Sequence, residues 1–120
     1  MGLKTWIHKS IIAIRGESFF IQLQKRIPFF GSFIPVHNHY SVKTIRKIKR
    51  GGVQFTVDIA DYIQWLIFID AKDILPELAL RHMKANSIVL DIGANVGQFS
   101  LKVAKLVSSQ SIDNVEIHAM

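Results

Sequence analysis

The sequence predicts an α/β fold in which an N-terminal helix and a β-hairpin precede a βαβ unit. Three observations predict it. Apolar residues between positions 6 and 27 recur at spacings of three, four and seven, as on one face of a helix. Two adjacent glycines, Gly51 and Gly52, separate two strand-like segments. Residues 88–92 form the nearly continuous apolar run that is typical of a buried parallel strand.

The N-terminal segment, residues 6–27, is expected to form a helix, or two short helices because Gly16 interrupts the apolar stripe. Residues 28–35 begin and end with proline, and proline disfavours a helical conformation at the residue before it. The helix should therefore end there. We interpret residues 1–40 as a helical and apolar extension, and residues 41–120 as an incomplete domain.

The central segment is predicted to contain a hairpin and two helices. Residues 53–58 alternate between apolar and polar side chains, so residues 41–58 are expected to fold as a hairpin around the glycine pair. A mostly buried helix is expected over residues 60–69, although so short an apolar run is also compatible with a strand. A second helix should begin between about 73 and 76 and run to about 84, because its acidic residue comes early and its basic residues come late, as the helix dipole prefers.

The βαβ unit begins at residue 87. Its first strand, residues 87–92, is expected to be covered on both faces. Apolar residues then fall at helical spacing over residues 99–107, a polar turn follows, and residues 115–119 begin a second strand. Such crossovers are right-handed, and ligands of open α/β sheets bind at the carboxyl ends of the strands. The loop after the first strand is therefore the candidate site.

That loop reads Asp91-Ile92-Gly93-Ala94-Asn95-Val96-Gly97. Gly93 permits a sharp turn and a close approach of a ligand to the backbone, and Gly97 permits close packing of the helix. Asn95 tolerates the left-handed conformation, and it is expected to cap the helix together with Gln98. Exposed backbone amides are the expected result.

The loop composition also indicates the charge of the ligand. A dinucleotide-binding loop would carry glycine where Asn95 and Gln98 stand, and no Gly-Lys-Ser/Thr sequence follows that would make a Walker loop. Asp91 would repel a pyrophosphate, whereas it would attract the sulfonium and ammonium groups of S-adenosylmethionine. The loop therefore favours a cationic cofactor.

Residues 88–100, Ile-Val-Leu-Asp-Ile-Gly-Ala-Asn-Val-Gly-Gln-Phe-Ser, resemble the first motif of the FkbM-like family of S-adenosylmethionine-dependent methyltransferases. The order of elements over residues 40–120 resembles that family more loosely. The resemblance implies the N-terminal part of a Rossmann-like methyltransferase fold, with S-adenosylmethionine as cofactor and methyl transfer usually to an oxygen. The cofactor-binding residues that it implies are Asp91, Gly93, Ala94, Asn95 and Gly97.

One departure from the family limits what the chain is expected to do. In the family an acidic residue at the end of the second strand holds the ribose hydroxyls, and this sequence ends one residue before that position; Glu116 comes four residues too early. The catalytic base and the pocket for the acceptor, a hydroxyl of a small molecule, glycan or lipid, would lie beyond Met120. We therefore expect a cofactor-binding portion that is inactive by itself and self-associates through its incomplete sheet.

A second interpretation starts from the charge distribution. Residues 1–50 carry ten Lys and Arg against Glu17 alone, whereas residues 51–120 carry a net negative charge. The alternative function is a basic module that binds a membrane surface or nucleic acid and keeps the loop as a relic. The basic run at 43–50 is more typical of a solvated hairpin face, because no aromatic platform for bases accompanies it. For the N-terminal helix, packing on the rest of the domain is favoured, and peripheral membrane contact is the alternative.

The remaining patterns mostly exclude classes of site. The sequence has no cysteine, which excludes a disulfide framework and thiolate metal sites. No apolar run is long enough to span a bilayer and no export signal is recognised, so a cytoplasmic location is expected. His37 and His39 would share one face of a strand, but no third ligand is placed, so a solvated loop is favoured and no metal site is predicted.

Overall fold

The computed structural model describes residues 2–120 and shows a mixed α/β protein, with 47% of residues helical and 17% in strands. The α-helices in this part of the chain are α1 (Leu3–Ala13), α2 (Glu17–Arg26), α3 (Tyr62–Phe68), α4 (Leu75–Arg81) and α5 (Gln98–Ser109). The strands are β1 (Ile45–Arg50), β2 (Val53–Asp58), β3 (Ile88–Asp91) and β4 (Glu116–Ala119). Two 3-10 helices, Pro28–Phe33 and His37–His39, connect α2 to β1.

The predicted elements are present, with changes at their ends. The N-terminal stripe forms two helices, because Arg15 adopts a left-handed φ of 53° just before Gly16. The hairpin turns at the glycine pair as predicted, and α4 ends at Arg81, earlier than the expected position 84. Among residues 2–120, every helix is too short or too polar to cross a lipid bilayer.

The chain folds as two compact units. The first extends to Arg46 and includes Val57–Asp70; the second comprises Lys47–Thr56 and Ala71–Met120. Helices α1 and α2 therefore belong to the same compact unit as α3.

The first unit has a core of branched and aromatic side chains from its three helices. Ile11, Ile21 and Phe68 are 4%, 0% and 1% exposed. The indole nitrogen of Trp65 donates a hydrogen bond of 3.0 Å to the carbonyl oxygen of Pro35, which fixes α3 against the segment before β1. Burial of this apolar surface is the main force that holds the helices together.

A charged group is also buried in the first unit. The Glu17 side chain is 1% exposed, and its Oε1 atom accepts a hydrogen bond of 2.9 Å from the Arg46 guanidinium and one of 3.3 Å from the Tyr40 hydroxyl. A carboxylate without such partners would be strongly destabilising in this position. The three side chains therefore link α2 to β1 and to the segment that precedes it.

Ionisation of Tyr40 makes the stability of this unit depend on pH in the alkaline range. Burial, and secondarily the Glu17 carboxylate, raises the pKa of the Tyr40 phenol above its ordinary value of 10.0. The folded state then keeps a proton that the unfolded state loses, so this contribution is complete below about pH 10 and decreases as the pH rises further. We expect Tyr40→Phe to reduce the alkaline loss of unfolding free energy, measured by urea titration at several pH values. A parallel decline in both proteins would contradict this.

The second unit contains the predicted βαβ arrangement. Strands β3 and β4 pair in parallel, with Ile88 opposite Glu116 and Asp91 opposite Ala119. Helix α5 connects them and packs against β4 and α4. Its inward side chains are buried, with Val103 0% exposed.

The expectation that β3 is covered on both faces is wrong. Ile88 and Leu90 are 66% and 59% exposed, whereas Val89, on the other face, is half-buried. The reason is that α5 packs on one face of the strand pair, and no other element of this unit, within the described residues, covers the other. An apolar run predicts a strand, but it does not show whether one or both faces of that strand are covered.

Candidate cofactor site

The candidate loop lies at the carboxyl edge of the parallel strand pair. Strand β3 ends at Asp91, and residues 92–97 lead from there to the first residue of α5, Gln98. Because β3 and β4 run in the same direction and Asp91 pairs with Ala119, both strands end beside this loop. This is the edge at which open α/β sheets bind ligands, and the loop stands there as the sequence predicted.

The loop has three residues in the left-handed region. The φ angles of Gly93, Asn95 and Gly97 are 76°, 52° and 75°. The Gly97 amide donates a hydrogen bond of 2.7 Å to the Ala94 carbonyl oxygen, which closes a tight turn. Glycine and asparagine adopt this conformation at the lowest cost, so the loop composition follows from its backbone shape.

The expected cap by Asn95 is wrong. The residue that precedes α5 is Gly97, and no side chain caps this end of the helix. The left-handed turn at Gly97 delays the start of the helix to Gln98, which leaves Asn95 too far back to reach its first amides. The amides of the first turn of α5 have no intrahelical partners, and they give this end of the helix a partial positive charge.

Two of the loop amides that were expected to be exposed are occupied. The amides of Gly93 and Ala94 donate hydrogen bonds of 2.8 and 3.0 Å to the carbonyl oxygen of Met120. In return, the Met120 amide donates to the Asp91 carbonyl oxygen at 3.0 Å. The loop is thus fastened to the residue that follows β4, and the amides left for a ligand are those at the start of α5.

A side chain of α5 holds the Asp91 carboxylate in place. Its Oδ2 atom accepts a hydrogen bond of 2.7 Å from the hydroxyl of Ser100, which is 8% exposed. Within the described residues, the second oxygen of Asp91 makes no hydrogen bond, so it can accept one from a ligand. The Ser100 contact restricts the side chain to one orientation at the end of the strand.

Ser100 is not among the candidate site residues that the sequence predicts. A signal for it exists, because Ser100 and Val103 share the buried face of α5, three residues apart. A hydroxyl on an apolar helix face needs a partner, and Asp91 is the acceptor at the end of the adjacent strand.

A lack of room for a side chain does not explain why position 93 is glycine. A Cβ atom added to Gly93 would meet no atom within 4 Å, so the requirement comes from its φ of 76°. We expect Gly93→Val to lower the free energy of unfolding by about 1–2 kcal/mol, the cost of a left-handed conformation in an L-residue. Gly2→Val is the matched control, because Gly2 has a φ of −71° and its added Cβ would also meet no atom. Equal losses in the two variants, measured by urea unfolding, would contradict this explanation.

The other residues considered from the sequence are Glu116, in the same unit as the loop, and the histidines His37 and His39 of the first unit. Glu116 pairs with Ile88, three strand positions from Asp91, which corresponds to about 10 Å. His39 lies against His8, with ring nitrogens 3.2 Å apart, while His37 packs on Tyr62. The two histidines considered as a metal pair therefore have different neighbours. Among residues 2–120, no three His, Asp or Glu side chains are grouped so that they could hold a metal ion.

Comparison of the chain with protein-family models, with curated proteins and with solved structures gives no match. The observations that bear on function are therefore the geometry of the loop and the motif within residues 88–100. Of the residues that the motif implicates, Asp91 is the one whose side chain has charge, a fixed orientation and an oxygen left for a ligand.

Proposed function

We propose that this chain is the cofactor-binding portion of an S-adenosylmethionine-dependent methyltransferase with a Rossmann-like fold. One observation carries the proposal: a carboxylate held in place by Ser100 stands at the carboxyl end of β3, beside a loop with three left-handed residues. The site residues in this proposal are those that the motif resemblance implies, namely Asp91, Gly93, Ala94, Asn95 and Gly97.

The charges around the loop support this choice of cofactor. S-Adenosylmethionine carries an ammonium and a sulfonium group next to a carboxylate. The free oxygen of Asp91 fits the cationic part, and the amides at the start of α5 fit the carboxylate. A pyrophosphate would face the Asp91 charge with the Gly93 and Ala94 amides already occupied, so a dinucleotide is disfavoured.

When bound, S-adenosylmethionine supplies an electrophilic methyl group, and the protein has to bind and orient it. In this proposal Asp91 holds the amino group, while Ser100 prevents the carboxylate from turning away. The motif resemblance supports methyl transfer to a hydroxyl of a small molecule, glycan or lipid. We assign no catalytic residue, and we expect these 120 residues by themselves to bind the cofactor without transferring its methyl group.

Calorimetric titration of the 120-residue chain tests the proposal. We expect S-adenosylmethionine and S-adenosylhomocysteine to bind, since both carry the ammonium and carboxylate groups. NAD+ serves as the comparison ligand, because it presents a pyrophosphate to the same loop and should not bind. Binding of NAD+ as tight as that of S-adenosylmethionine, or no binding of either adenosyl ligand, would overturn the assignment.

The exposed face of β3 supports a further part of the proposal, self-association through the incomplete sheet. Leu90 is 59% exposed on that face, and burial of such side chains between two copies would be favourable. We expect Leu90→Lys to shift sedimentation toward the monomer. Leu75→Lys is the matched control, because Leu75 is 61% exposed on α4. If both substitutions had the same effect, or neither had any, the β3 face would not be the contact.

A further inference from the structure

Five phenylalanines in the first unit form one continuous cluster, which we call the aromatic patch: Phe19, Phe20, Phe29, Phe30 and Phe33. Along α2 and the following 3-10 helix, the ring centroids of Phe19 and Phe20 lie 5.4 Å apart, and those of Phe29 and Phe33 lie 5.5 Å apart. The two pairs are joined by Phe20 and Phe33 at 6.1 Å. Both ends of the patch reach the surface, since Phe19 is 66% and Phe29 is 68% exposed.

The surface around the aromatic patch is basic. Glu17 is the sole acidic residue in positions 1–57, and it is buried and bonded to Arg46. No carboxylate of this segment is therefore exposed, whereas eight of its ten Lys and Arg residues are. Arg26 lines the same surface recess as Phe19, and its neighbour Lys25 is also exposed. Of the acids that follow in this unit, Asp70 lies 2.6 Å from Lys25 and pairs with it, whereas Arg26 makes no ion pair within the described residues.

Helix α1, in the same unit, adds exposed apolar side chains and a cation. Leu3 is 74% exposed and Trp6 is 58% exposed, while His8 and Ile11 face the core. Lys9 is exposed as well. Exposed apolar side chains of this number, in a segment whose single acid is buried, are uncommon on a protein surface without a binding role.

We propose that the aromatic patch and the outer face of α1 dock onto an anionic lipid bilayer. Phenylalanine and tryptophan side chains insert at the boundary between headgroups and acyl chains, and Lys and Arg bind the anionic headgroups. This proposal does not depend on the methyltransferase assignment.

Two observations favour a bilayer over nucleic acid. Leu3 and Ile14, 74% and 76% exposed, gain free energy from burial among acyl chains but nothing from stacking on bases. In addition, Phe19 packs edge-on against Phe20, at an interplanar angle of 89°, and Phe29 packs at 71° against Phe33. These rings do not form a parallel platform for successive bases.

Co-sedimentation of the full chain with lipid vesicles tests the proposal. We expect binding to phosphatidylcholine vesicles that contain phosphatidylserine, weakening as salt is raised, and little binding to phosphatidylcholine alone. The double substitution Phe19→Ser with Phe29→Ser should weaken partitioning by more than about tenfold, because two aromatic side chains no longer insert. Arg26→Glu should weaken it by about fivefold or more.

The control variant is Val42→Ser, which removes an apolar side chain that is 71% exposed in the same unit but outside the patch. It should bind vesicles as the unchanged chain does, and circular dichroism should show that every variant is folded. Equal binding to both kinds of vesicle, or vesicle binding that survives the double phenylalanine substitution, would overturn the proposal. If the chain did not bind vesicles but bound a polynucleotide, the proposal would also be overturned. The same holds if it did not bind vesicles but formed a dimer that the double substitution dissociates.

Discussion

Replacement of Asp91 by asparagine should weaken S-adenosylmethionine binding by about 10- to 100-fold. Asparagine keeps the shape of the side chain and can still accept the Ser100 hydrogen bond, so the change removes mainly the negative charge. A hydrogen bond to a charged group contributes about 1.5–3 kcal/mol, which corresponds to this range of affinity. The dissociation constants of the two proteins, measured by calorimetric titration, check the expectation.

Asp113→Asn is the matched control for Asp91→Asn. Asp113 is an exposed residue of the same unit, and its substitution makes the same change in chemistry and net charge. The control should bind S-adenosylmethionine as the unchanged chain does. A similar loss of affinity in both variants would mean that overall charge, and not the position of Asp91, attracts the cofactor.

Replacement of Arg46 by methionine should destabilise the protein by about 3–5 kcal/mol, because it leaves a buried carboxylate without its cation. The Glu17 side chain is 1% exposed and that of Arg46 is 16% exposed, so little water can take the place of the guanidinium. The free energy of unfolding in urea, followed by circular dichroism, measures the loss.

A surface ion pair provides the control for Arg46→Met. Lys25 and Asp70 lie 2.6 Å apart, but their side chains are 46% and 35% exposed, so Lys25→Met should cost no more than about 1 kcal/mol. The double substitution Glu17→Leu with Arg46→Met should recover much of the loss, because an apolar pair can replace a buried ion pair without large cost. A double variant as unstable as Arg46→Met alone would show that the buried charge is not the cause.

The parts of the fold that could be predicted are those that local patterns encode. The change from a continuous apolar run to helical spacing located β3 and α5, and thereby the loop between them. The sequence indicates left-handed backbone at Asn95 and a sharp turn at Gly93, and both residues have a positive φ. The left-handed conformation of Gly97 is not predicted, because that glycine is expected to permit close packing of the helix. Each of these features depends on residues that are close together in the sequence.

The contacts that complete the site depend on tertiary structure. The Met120 carbonyl oxygen occupies the Gly93 and Ala94 amides only because β4 pairs in parallel with β3. Ser100 reaches Asp91 only because α5 packs back on the strand pair. Hydrophobic periodicity contains no information about which hydrogen bonds form when these elements pack together.

The exposed face of β3 illustrates the same limit for packing. Composition identified Ile88 and Leu90 as strand residues, and they are. It also predicted cover on both faces, which would require a second layer that this unit does not supply within residues 2–120. In the first unit, Glu17 stood out as the one acid of a basic segment, but its pairing with Arg46, 29 positions away, required the folded chain.

Chemical-shift mapping tests the central claim most directly. Isotope-labelled protein would be titrated with S-adenosylmethionine, and the backbone amide signals followed by nuclear magnetic resonance. Binding at the loop predicts saturable shifts that are largest from Asp91 to Ser100. Shifts confined to the first unit, or no shifts at ligand concentrations that saturate the calorimetric signal, would contradict the assignment of this loop as a cofactor site.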